Sequence, residues 1–183
     1  MESEEEQGSS LDEQVTAVLR HVWDAASRSS QVPTLTLGVT SCTRGEGVTT
    51  VARLLAKASL RLPLRQVLLV EVEEDAPAIP AALFEQCARP TIVSRLERLV
   101  VGSAGGAATL RAGLDNVRPR FELVVVALPP AGRSTGAREL ASVMDRVLLV
   151  IEPQRLPLRM IQQVKDHLDE HGARLVGVIL NKA

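Results

Sequence analysis

Residues 45–50, Gly-Glu-Gly-Val-Thr-Thr, place two glycines, a carboxylate and two hydroxyls where an apolar strand runs into a helix. This is the outline of a phosphate-binding loop. Glycines let backbone N–H groups converge on phosphate oxygens, and the helix N-terminus adds the positive end of its dipole. A lysine in such a loop reaches the β- and γ-phosphates, and the hydroxyl after it holds Mg²⁺. A second strand then brings an aspartate to the metal. Thr49 stands at the hydroxyl position and Thr50 follows it, but Val48 occupies the place of the lysine. Arg44, four residues earlier, either aims a cation at an anion or is an ordinary solvent-exposed loop arginine. Glycine pairs serve many turns, so the motif stands or falls with the elements around it.

Those elements alternate. Apolar runs of strand length occupy 34–40, 66–72, 96–102, 121–128 and 146–152, and the chain closes on a last one, 173–181. Helix-like stretches separate them, beginning near Val48, at 107–118, 135–144 and 157–172, and 102–108 reads as a Gly/Ala loop. Continuous apolar strands alternating with helices require a parallel sheet covered on both faces. The expectation is an α/β, three-layer fold of the P-loop NTPase type, with a mainly parallel sheet of about six strands. Before the first strand, Leu11, Val15, Val18, Leu19, Val22 and Ala26 recur at steps of three and four, which predicts an amphipathic helix over 11–27. Residues 1–10 read as a disordered acidic lead, leaving a single domain over 11–183.

Composition narrows the function classes. The formal net charge is −1, but six acids lie within residues 1–13, so the body holds sixteen acids against 21 bases. That mild excess calls for no nucleic-acid partner. With two Phe, one Trp and no Tyr, the chain has no aromatic platform for single strands. Cys42 and Cys87 form neither a metal-ligand pattern nor a disulfide framework and fit a reducing cytoplasm. No apolar run approaches the roughly 20 residues of a membrane span, so direct membrane insertion is not expected.

The order loop, "QVLLVEVEED", "FELVVVALPP", "RVLLVIEP", "GVILNKA" resembles the cytoplasmic domain of bacterial tyrosine kinases, within the MinD/ParA-like P-loop class. The resemblance covers residues 11–183. These kinases accompany polysaccharide co-polymerases that control capsule and exopolysaccharide synthesis. Against their loop "GEGKS/TT", this chain keeps Gly45, Glu46, Gly47, Thr49 and Thr50 and changes Val48. Where the family carries two aspartates in its second motif stand Glu71 and Glu73, and Ala127 replaces the aspartate of the third. Asn181 falls where the family uses an asparagine beside the adenine, or it is a strand-end cap. Of the family's E-x-x-R-x-x-R assembly motif, the matching residues Gln14, Ala17 and Arg20 keep only the last. The family's tyrosine-rich tail has no counterpart in the 183 residues.

The resemblance therefore implies a degenerate site with no catalytic residue, no resident metal and at most weak, vestigial ATP or ADP binding. The leading expectation is a pseudokinase or pseudo-ATPase that regulates an active kinase or a polysaccharide export apparatus, as a homo- or hetero-oligomer. It would be cytoplasmic and recruited to the inner membrane by its partner. Two alternatives stand beside it: an active kinase or ATPase using Arg44 and unusual acidic ligands, and a MinD/ParA-like positioning protein. Against the last, Thr43 holds the signature-lysine place of that branch.

Overall fold

A computed structural model of the chain describes residues 13–24, 34–64 and 66–182. The acidic lead and the outer turns of the helix expected over 11–27 lie outside these residues. Residues 13–24 form helix α1. There follow β1 (Leu35–Ser41), α2 (Val48–Ser59), β2 (Val67–Glu73), α3 (Phe84–Cys87), β3 (Arg89–Pro90) and β4 (Leu96–Gly102). Then come α4 (Gly106–Val117), β5 (Leu123–Ala127), α5 (Thr135–Ser142), β6 (Arg146–Ile151), α6 (Leu158–Glu170) and β7 (Leu175–Leu180).

The seven strands make one sheet in the order β3-β4-β2-β5-β1-β6-β7. Every neighbouring pair is parallel except β3–β4. The inner strands β1, β2, β5 and β6 are buried almost throughout because both faces are covered, and all but β1, which carries Thr36, Thr40 and Ser41, are nearly continuous apolar runs. On one face Val15, Leu19 and Val22 of α1 and Val51 and Leu55 of α2 pack on Leu37, Val39, Leu69 and Val125. On the other, Phe84, Leu110, Leu114, Leu140, Val164 and Leu168 pack on Leu68, Val70, Val126 and Leu149. The result is the three-layer α/β fold expected.

One addition and one correction apply. The six strands expected are all present, and a two-residue antiparallel β3 at the β4 edge makes a seventh among the described residues. The segment 102–108 is not simply a loop. Residues 103–105 form a 3-10 turn, and Gly106 already opens α4. Glycine's poor helix propensity hides that start in the sequence.

Candidate phosphate-loop cleft

The turn from β1 to α2 is held by its own side chains and by two later segments. Glu46 folds back under the loop, wholly buried, with its Oε2 accepting from the Thr43 N–H at 2.7 Å. Its Oε1 has no partner. Gly45 and Gly47 adopt φ of 85° and 87°, the left-handed region that favours glycine. At Gly47 a Cβ would sit 2.0 Å from the Asn181 Nδ2. That nitrogen donates to the Glu46 carbonyl at 3.0 Å. Arg155, after β6, donates to the Arg44 carbonyl at 2.8 Å. Asn181, just beyond β7, thus directs its amide nitrogen at the loop backbone.

Beside the loop opens a cleft of about 490 Å³, walled by the loop, the first turn of α2, the end of β2 and residues 127–130. Val48 stands half-buried at the head of α2, with Thr49 and Thr50 exposed after it. The structure thus brings Arg44, Gly45, Gly47, Val48, Thr49, Thr50, Glu71, Glu73 and Ala127 to one cleft. Arg20 lies apart, exposed on α1.

Charge is what the cleft lacks for a polyphosphate. Its lining includes four acids, Glu71, Glu73, Glu74 and Asp75, against one base, Arg44. Arg44 is already ion-paired with Glu74. The hydrogen bond and charge of that pair hold the Glu74 carboxyl below the usual carboxylate range and raise the Arg44 guanidinium. Glu71 is likewise engaged. Only 2% exposed, it accepts at Oε1 from the Arg53 Nε of α2 at 2.8 Å and at Oε2 from Arg98 of β4. Ala127 lies opposite Glu71 in the β2–β5 register, so the place of a second acid is a buried methyl. Among the described residues no three His, Cys, Asp or Glu side chains are gathered as a metal centre would need.

Arg53, Arg98 and Arg155 escaped the sequence reading. A signal existed for Arg98, since strand alternation puts it on the same sheet face as Glu71, but only once the β2–β4 register is known.

No protein-family model matches the chain. Over 69 residues it is 26% identical to tyrosine-protein kinase CpsD of Streptococcus agalactiae, a stretch covering 38% of this chain and 30% of that protein. The match thus spans under a third of the length of the curated relatives. Among solved structures, the kinase domain of VpsO superposes with a TM-score of 0.70 at 26% identity, covering 96% of this chain and 98% of that one. The BceF tyrosine kinase domain gives a TM-score of 0.76 at 20% identity, covering 94% and 76%. The chain is similar to bacterial tyrosine kinase domains. The cell division ATPase MinD of Pyrococcus furiosus shares the fold less fully, with a TM-score of 0.65 at 18% identity over 80% of this chain and 71% of that one. The likeness to tyrosine kinase domains therefore takes in nearly the whole chain and that to MinD does not.

Proposed function

We propose that this chain is a catalytically degenerate relative of bacterial tyrosine kinase domains that works through protein contacts, regulating an active kinase or the machinery of capsule or exopolysaccharide synthesis and export. The observation that carries this reading is the electrostatics of the cleft. Phosphoryl transfer concentrates negative charge, and its catalysis rests on positioned cations. Removing one such stabilising group costs on the order of 3–4 kcal/mol of barrier. Here Val48 supplies no cation, Ala127 no carboxylate, and Glu71 is occupied by two arginines. Glu71 and Glu74 are held by arginines, so the acids left to face a polyphosphate are Glu73 and Asp75, with no uncommitted cation in the lining to attract it.

The alternative of an active enzyme with Arg44 as relocated cation has less support, because Glu74 already neutralises that guanidinium. The positioning-protein alternative draws on the MinD likeness, which covers 80% of the chain against 96% for VpsO.

A thermal-shift titration with ATP and ADP, with and without Mg²⁺, tests the site. A ligand at 100 times its dissociation constant would stabilise the fold by about 2.7 kcal/mol. The expected response is flat or weak, and phosphate release is expected at background. Turnover that disappears in Arg44→Ala would overturn the reading in favour of the active alternative. The process is tested separately, by pull-down for polysaccharide-assembly partners and by capsule measurement in a deletion strain.

A further inference from the structure

The mean charge of the chain conceals one lopsided face. Between Gly47 and Val70 the sequence contains no acid. On α2 and the turn after it, Arg53, Lys57 and Arg61 follow at steps of four, all exposed, so they form one stripe along the helix. The stripe continues across the sheet. Arg53 and Arg98 share Glu71, which brings β4 against this flank of α2. Arg89 stands directly opposite Arg98 in the β3–β4 pair. Arg95 donates to the Leu60 and Leu64 carbonyls at 2.9 and 2.6 Å, fastening the β3–β4 loop to the end of α2. On that loop Ile92 is fully exposed, at 105%.

We infer that this face, the α2 flank with β3, β4 and the loop between them, docks on an anionic lipid surface. Glu71 already holds Arg53 and Arg98. Among the described residues Lys57, Arg61, Arg89 and Arg95 pair with no carboxylate, Arg89 donating only to backbone carbonyls such as that of Gln86 at 2.7 Å. These cations are left for an external anion, and guanidinium forks match phosphate oxygens. An acidic protein segment would also satisfy the cations, but it gives no use to an isoleucine standing wholly in water on the adjoining loop. A bilayer satisfies both groups, with cations at the headgroups and an aliphatic side chain at the acyl boundary. Nucleic acid is the poorer fit. The aromatic residues of the chain lie elsewhere, Phe84 and Phe121 buried and Trp23 on α1. No described helix is long and apolar enough to cross a membrane, so the association is peripheral. Lys57, Arg61 and Ile92 lie outside the cleft lining, and the association would place the domain at the membrane without a partner's help.

The test is co-sedimentation of the full chain with phosphatidylcholine vesicles, with and without phosphatidylglycerol. The protein is expected to pellet with the anionic vesicles alone and to be released by salt. Each cation lost near the surface should weaken partition roughly fivefold. Lys57→Glu with Arg61→Glu should therefore abolish pelleting while leaving the thermal midpoint unchanged, since both residues are exposed. Ile92→Ser should weaken it at every salt concentration. Equal pelleting with both vesicle types, or indifference to the Lys57/Arg61 variant, would overturn the proposal. So would binding to poly-glutamate as tight as to the vesicles and insensitive to Ile92→Ser, which would assign the face to an acidic protein segment.

Discussion

At the scale of single residues, Val48 and Cys42 make different kinds of claim. Val48 sits half-buried beside the cleft, so a lysine there could lay its stem along the same apolar wall and lift its ammonium toward the loop. Val48→Lys is expected to create a measurable ATP-dependent thermal shift, because it restores the missing attraction. It is not expected to restore phosphate release, because Ala127 still supplies no carboxylate and Glu71 stays with Arg53 and Arg98. Turnover by the single variant would mean that the two arginines release Glu71 readily. Cys42 concerns stability. Burial first, then the Glu46 charge, pushes its thiol from 9.0 up to about 11. The raised group favours the fold fully below the unfolded value and loses that contribution as pH climbs from about 9 toward 11. Urea midpoints of the native chain should therefore fall across that window more steeply than those of Cys42→Ala. Equal slopes would show that the thiol titrates alike in both states.

At the scale of elements, the ion triad ties helix α2 to two strands, β2 and β4, that the sheet already joins to each other. Arg53 on α2 and Arg98 on β4 meet on Glu71 of β2, at chain separations of 18 and 27 residues. Removing the acid strands two guanidiniums, but both are about half-exposed and can turn to water. The expected loss in Glu71→Ala is therefore moderate, about 1–3 kcal/mol in urea unfolding. A loss below about 0.5 kcal/mol would reduce the triad to an unproductive surface contact. The triad also marks what a sequence can and cannot disclose. Strands β2, β5 and β6 were legible because burial on both faces demands nearly continuous Val and Leu, and β1 because its Leu, Val and Thr suit an extended strand. The loop was legible because glycine is required where φ is positive. The two-residue β3 and four-residue α3 have too few positions to show a period. The partners of Glu71 and Arg44 depend on register and on neighbouring loops, which no local pattern encodes. Hence Glu71, Glu73 and the loop residues could be named from the sequence, whereas Glu74, Asp75 and the arginines that take up these charges could not.

At the scale of the whole molecule, the question is whether α1 belongs to the same cooperative unit as the sheet. It is connected to β1 through residues 25–33, yet it sinks Val15, Leu19 and Val22 to 2% exposure or less against the α2 face. Trp23, the one tryptophan in the chain, packs at the border of that cluster. Its fluorescence therefore reports on α1, while far-UV circular dichroism reports on all the helices and strands. If α1 is integral, the two urea transitions coincide, the signature of all-or-none unfolding. Leu19→Ala removes a side chain from a nearly sealed site, so it should cost about 2–5 kcal/mol. Both transitions should then move together by that amount. A fluorescence transition that precedes the dichroism, and that alone shifts in Leu19→Ala, would instead make α1 a separately melting arm. In that case the apolar surface on the α2 side of the sheet that it covers would be open for a partner to claim.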